Sequence, residues 1–476
     1  MTTRKSEPTR PIGGSFSRRI FVKAAAAASL STGPLVNSVV RASAALVNPR
    51  IVHQRFEGWG TSLAWWAHVV GGFPPKIRHE YLTKIFHPHA GLGLTVARYN
   101  IGGGENPKYK FLSYRAAIPG YAPHPGQFDW HADARQRLIL RACLDMGVTQ
   151  IQAFSNSPPY YMTRSGSVTG ARDGGSNLRP ECFGAFADYL AQVVAHFDRV
   201  WGIRFQTVEA FNEPTSMWWQ FGGPQEGCHI GNREQNIIIP MLARALRECR
   251  VPTGIAAPDD NNIDETISSI AAYTPETRAI LDQIDTHSYS GNHRSTLRKM
   301  AAAAHKRLWM SEYGDGDASG LTMAARIIQD MKELQPLAWV YWQAVDINGW
   351  GLLANPEDGH DTRYTLPHKY YVMAQFSRFI RPGCWFIQVD DPHCIAAYAP
   401  DVKRLVIVAV NRSLEKRAIQ FDLSAFSMPG APVRTYVTAP GHKLSFKFEI
   451  HSRGALSTTI PPEGTKTFVI NDCRVL

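Results

Sequence analysis

Two stretches of the chain end an apolar run on a glutamate and then stop it. In Arg204-Phe205-Gln206-Thr207-Val208-Glu209-Ala210-Phe211-Asn212-Glu213-Pro214 the run closes on Asn212-Glu213, and proline follows. In Arg307-Leu308-Trp309-Met310-Ser311-Glu312-Tyr313-Gly314 it closes on Glu312, and glycine follows soon after. Short apolar runs of this kind read as buried strands, and Pro and Gly as their stops. Two carboxyls facing one cleft can break a glycosidic bond, one protonated for the leaving oxygen and one ionised for the anomeric carbon. A single glutamate at a strand end reads more readily as a helix start or an ion-pair partner. Two in matched settings favour chemistry.

The two glutamates are 99 residues apart. A barrel of strand–helix units uses roughly 31 residues per unit, so the spacing is about three units and puts them on strands 4 and 7, across the mouth from one another. The strand candidates are Leu94–Tyr99, Gln150–Phe154, Thr207–Phe211, Thr253–Ala256, Ile284–Thr286, Leu308–Ser311 and Ala338–Tyr341, with an opening strand near Arg55–Gly58. Amphipathic stretches alternate with them: Ala132–Met146, Cys182–Val200, Glu234–Cys249 and Met323–Leu334. Eight such units predict an α/β fold, a (β/α)8 TIM barrel over residues 57–367. From 368 to 476 the pattern becomes short strand-like runs with turns, which predicts an appended all-β antiparallel sandwich.

The first 44 residues read as an export signal. Ser17-Arg18-Arg19-Ile20-Phe21-Val22-Lys23 carries twin arginines, an alanine-rich run spans Ala24–Val40, and Ala42-Ser43-Ala44 offers a small-residue cleavage pattern. The expected location is therefore periplasmic or extracellular, by the twin-arginine route. Ser29, Ser31, Gly33, Pro34 and Asn37 interrupt the run, against the roughly 20 apolar residues of a spanning helix. This segment holds seven Lys/Arg and one Glu, so without it the net charge of +11 falls to +5. A mildly basic chain with no dense Lys/Arg run is not a nucleic-acid binder by composition. The seven cysteines form no Cys-x-x-Cys pair, which gives zinc ribbons and iron–sulfur clusters no support. Cys384 and Cys394 are the closest two in sequence, and an odd count leaves at least one thiol unpaired in a monomer.

Around these residues the chain resembles glycoside hydrolase family 30, and within it the endo-β-1,6-galactanase-like branch. The matching segments are Phe56–Ala67, Arg98–Gly104, Phe154–Pro159, Ala210–Pro214, His287-Ser288-Tyr289, Ser311–Gly314 and Trp339–Gln343, in order along the chain. The resemblance implies that Glu213 is the acid/base, with Asn212 contacting the sugar 2-hydroxyl, and that Glu312 is the nucleophile. It implies that Arg98 and Tyr289 hold the nucleophile ionised and that Trp342 floors the reacting sugar. Trp65, Arg98, Asn156, Asn212, His287, Tyr289 and Trp342 form the expected substrate-binding set. The resemblance further implies that residues 45–56 add a strand to the sandwich. The expected activity is retaining and endo-β-1,6-galactanase-like, with a β-1,6-glucanase, a xylanase or an exo-acting β-glycosidase of the same family as alternatives. The expected partner is a β-linked polysaccharide or oligosaccharide bound by a monomer, with no cofactor and no metal.

Trp65, Trp66, Trp218, Trp219 and Trp350 fall in loops after strand ends, where they either stack on sugar or pack the loops. Gly102-Gly103-Gly104 lacks dinucleotide-binding spacing and reads as a tight turn near substrate. His87-Pro88-His89 reads as an exposed loop rather than a metal site. Asp259, Asp260, Asp315 and Asp317 read mostly as solvated or capping residues, with some at the cleft. Two rival classes are an exported cofactor-bearing redox enzyme, disfavoured by the cysteine spacing, and a carbohydrate-binding pseudo-enzyme, disfavoured by the presence of both glutamates.

Overall fold

The structure, a computed structural model, describes residues 43–347, 349–428, 432–452 and 454–476. Of the 44-residue export segment, residues 1–42, the twin arginines among them, lie outside the described residues, whereas Ser43 and Ala44 already pair with Ile419 and Gln420. Strand β1 (Ser43–Arg55) opens the described chain. Eight parallel strands then close a barrel: β2 (Gly58–Ser62), β3 (Val96–Asn100), β4 (Gln150–Phe154), β5 (Thr207–Glu209), β6 (Gly254–Asp260), β7 (Gln283–His287), β8 (Arg307–Tyr313) and β9 (Ala338–Gln343). Pairing of β2 with β9 seals the ring. Helices such as Phe183–Arg199 and Asn232–Glu248 wrap it, each turning one apolar stripe onto the strands. Glu213 follows the fourth barrel strand, and Glu312 lies on the seventh.

The N-terminal strand runs Ser43–Arg55 against the expected 45–56, and two boundaries of the barrel differ as well. The first barrel strand begins at Gly58, where the sequence suggested Arg55–Gly58, because Arg55 still pairs with Trp385 as the last residue of β1. Residues 368–377 form a helix, the eighth of the barrel, and not the start of the sandwich. Lys369, Tyr370, Val372, Met373, Ala374, Gln375, Phe376 and Ser377 are all buried, so this helix has no polar face to give it a period.

The second unit is mostly antiparallel: β10 (Trp385–Val389), β11 (Cys394–Ala399), β12 (Arg404–Asn411), β13 (Arg417–Asp422), β14 (Val433–Ala439), β15 (His442–Glu449), β16 (Ala455–Ile460) and β17 (Gly464–Ile470). The order across it is β15-β14-β17-β12-β11-β10-β1-β13-β16. Strand β1 bridges its two parts, antiparallel to β10 and parallel to β13. Ala45, Val47, Ile407, Phe421, Leu456 and Phe468 share one core between the layers. The sheet is fixed to the barrel. Phe56 packs on Phe386 at 5.5 Å, Gln375 Nε2 donates to Thr438 Oγ1 at 2.8 Å, and Lys332 Nζ donates to the Val389 and Asp391 carbonyls at 2.9 Å. All seven cysteines are free.

Candidate active site

The carboxylates meet at the C-terminal mouth of the barrel. One carboxylate oxygen from each of Glu213 and Glu312, and one His287 ring nitrogen, lie within 4.8 Å of one another. Glu213 Oε1 accepts from Asn261 Nδ2 at 2.6 Å and sits 3.2 Å from His287 Nδ1. Its other oxygen is left for a ligand. Glu213 has a left-handed backbone (φ 47°), and its N–H donates to the carbonyl of Asp259, itself left-handed at φ 64°. Non-glycine residues seldom adopt this conformation, and it concentrates at functional sites.

Glu312 is held from below. Arg98 Nη1 donates to its Oε2 at 3.1 Å, and the Tyr289 hydroxyl donates to its Oε1 at 3.0 Å. Burial nonetheless pushes the Glu312 carboxyl up to about 7, against the pull of His287 and Arg98. The reason lies in how Arg98 is shared. Its fully buried guanidinium also bonds Glu209 at 2.9 Å and Asp259 at 2.7 Å, so one positive charge serves three carboxylates.

His287 is the second cation. Nδ1 lies 3.2 Å from Glu213 and 3.5 Å from Glu312, and Nε2 lies 3.2 Å from Asp259. Burial opposes its protonation, but the charges of Glu312 and Asp259 carry it well above its ordinary value. Burial works against Asp259 too, yet Arg98 and His287 hold its carboxyl down at about 2. Ser311 Oγ adds a 2.6 Å bond to it. Beneath these, Glu209 and Asp285 are both raised, first by burial and then by neighbouring carboxylates.

The cleft above is walled by Trp65, Asn156, Asn212, Tyr289 and Trp342, with Trp218, Trp219, Gln225, Asn261 and Trp350 around them. Trp65 and Trp342 meet edge to face at 5.3 Å. Trp65 Nε1 and Asn212 Oδ1 are buried without a protein partner, which leaves them for a ligand's hydroxyls. Two members of the expected substrate-binding set are placed differently. Arg98 and His287 are fully buried under the carboxylates and do not line the cleft, so their contacts are to the carboxylates and not to the cleft space. Trp66 packs inside on Phe86 at 6.4 Å and has no part in the cleft. Asp259 and Asp260, read from sequence as mostly solvated or capping loop residues, are instead fully buried at the end of β6, and Glu209, Asp285 and Asn261 were not singled out from sequence. The available signal was Asp259-Asp260 closing an apolar strand, as Glu213 and Glu312 close theirs.

Residues 45–305 match the sequence profile of O-glycosyl hydrolase family 30. The chain belongs to that family. The endo-β-1,6-galactanase of Hypocrea rufa is 34% identical over 403 residues, spanning 79% of this chain and 82% of that protein. An exo-β-1,6-galactobiohydrolase of Bifidobacterium longum subsp. longum is 28% identical, over 61% of this chain and 26% of that much longer protein. The catalytic domain of the family 30 xylanase C from Talaromyces cellulolyticus matches in three dimensions with a TM-score of 0.72 at 23% identity, covering 90% of this chain and 100% of that one. At that identity the likeness speaks for the fold. The family 30 resemblance drawn from the seven segments is confirmed, and with it a glycoside hydrolase acting on a polysaccharide substrate.

Proposed function

We propose that this family 30 enzyme is a retaining β-glycosidase that cleaves β-1,6-galactan internally, with Glu213 as acid/base and Glu312 as nucleophile. The observation that carries the mechanism is the separation of at most 4.8 Å between a carboxylate oxygen of each. Retaining sites need carboxyls about 5–5.5 Å apart, and inverting ones roughly 6.5–9.5 Å to admit a water. In the first step Glu312 attacks the anomeric carbon while Glu213 gives its proton to the bridging oxygen, whose bond to that carbon breaks. In the second step Glu213 takes a proton from water, which displaces Glu312 with a second inversion. Asn212 binds the 2-hydroxyl, Trp342 floors the reacting ring, and Arg98 and Tyr289 steady Glu312.

The substrate assignment is supported by the 34% identical endo-β-1,6-galactanase. Arg18-Arg19 and the run after them support export by the twin-arginine route to the periplasm or beyond. The test is proton NMR of the first products from β-1,6-galactan, with β-1,6-glucan and xylan beside it. The reading predicts the β-anomer first and galactan preferred. The α-anomer appearing first would overturn the mechanism, and efficient cleavage of glucan or xylan with galactan untouched would overturn the substrate.

A further inference from the structure

The segment that follows Glu213 is fixed more firmly than a connector requires. Its base closes through the Ile230 N–H on the Pro214 carbonyl at 2.8 Å, and Trp219 Nε1 donates to the Glu213 carbonyl at 2.9 Å. The Trp219 ring lies so close to Gly227 that a Cβ there would sit 2.0 Å from it, and Gly170 (φ 129°) similarly admits the Trp219 backbone. Phe221 meets Tyr109 and Phe111 edge-on at 5.1 and 5.0 Å. The buried carboxyl of Glu226 accepts the N–H groups of Gly103 and Gly104 at 2.9 and 3.2 Å, tying the segment to the loop after β3. Yet at its tip Met217 is 62% and Trp218 49% exposed, and Trp218 faces the cleft that holds both glutamates. An uncovered indole on a segment that has already lost its freedom stacks on a sugar ring at little further entropic cost.

We propose that Trp218 is the platform for the sugar on the leaving-group side of the scissile bond, and that Glu226 is the positioning residue that holds it there. The inference rests on Glu213 being the acid. Its proton goes to the bridging oxygen, so the departing sugar passes the segment that continues from Glu213. Trp342 lies near the end of the eighth barrel strand, directly across the ring from the fourth, and takes the sugar on the other side of the bond. The ligand class is a β-linked oligosaccharide with at least one sugar beyond the cleavage point.

The test compares kcat/KM on a β-1,6-linked galactotetraose with kcat/KM on β-galactosyl fluoride, whose leaving group is one atom and has nothing to stack. Trp218→Ala should lower the ratio of the two about tenfold, mainly through KM on the tetraose. Glu226→Ala should lower it similarly, and Glu226→Gln, which keeps the acceptor oxygen, should recover most of it. Trp218 is exposed, so its variant reports even where Glu226→Ala does not fold. A ratio within twofold of the parent's in Trp218→Ala would overturn the platform. A Glu226→Gln ratio no better than that of Glu226→Ala would overturn the latch. Wild-type enzyme that hydrolyses the tetraose but not the fluoride would overturn the mechanism underneath both.

Discussion

Along the same barrel strands the interior changes character within two residues. Val96, Trp309, Ala338 and Val340 form a closed apolar cluster toward the N-terminal end. Two positions on, Val96 gives way to Arg98, Trp309 to Ser311, and Val340 to Trp342. Above the apolar plug Arg98, Glu209, Asp259, Asp285, His287 and Glu312 are all buried. Hydrocarbon packed to crystal density stabilises a barrel with no further help. Buried charge stabilises only when every member is compensated, and replacing it with apolar groups is often neutral or better. One layer is there to hold the ring together. The other is kept for what the charges do.

The largest effect on this contrast should come from Arg98→Met. It would leave Glu209, Asp259 and Glu312 without their guanidinium, so we expect about 3–5 kcal/mol of lost stability in denaturant melts. The surviving folded enzyme should need a higher pH, because Glu312 loses a positive neighbour that pulls its proton affinity down. Trp309→Ala, in the plug, should also cost about 3–5 kcal/mol, through lost burial and a cavity. Its pH–rate profile should match the parent's. A shifted profile in Trp309→Ala, or an unshifted one in Arg98→Met, would erase the distinction between the layers.

A smaller effect concerns pH. Burial raises Glu312 and Asp133 to about 7, and Glu226 and Glu357 to about 8. Between roughly pH 4.5 and 8 these four bind more protons folded than unfolded, so stability should fall as pH rises through that window. His68, lowered by burial to about 4, acts the other way between pH 4 and 6.5. His53 and His196, which burial also lowers, act in the same sense as His68, and these three are outnumbered. Activity should run opposite on its acid side. As the proposed nucleophile Glu312 must be ionised, so kcat/KM should rise with pH through about 7. Tm and kcat/KM rising together across pH 5–8 would contradict this.

The sequence disclosed the strand-end glutamates because Pro214 and Gly314 stop apolar runs beside them. The barrel could be read from eight alternations of period, and the sheet unit from short runs without helices. Asp259 stayed hidden because Pro258-Asp259-Asp260 has the composition of a turn, although it continues β6. Its burial makes sense only beside Arg98, 161 residues away. Glu209 and Asp285 were hidden for the same reason. An inward charge on a strand looks like an outward one until its partner's position is known. The helix His368–Ser377 was missed because burial on nearly every side erased its pattern.

The central claim is the division of labour between Glu213 and Glu312, and azide rescue on a dinitrophenyl glycoside tests it most directly. A dinitrophenolate leaves without a proton, so Glu213→Ala should still form the glycosyl-enzyme while losing activity on galactan. Added azide should accelerate its second step and give the β-glycosyl azide. Glu312→Ala removes the proposed nucleophile and should lose activity on both substrates by at least about 10⁴-fold, with azide yielding at most the α-azide. Near-parental turnover by Glu312→Ala, or the two variants exchanging azide products, would contradict the account.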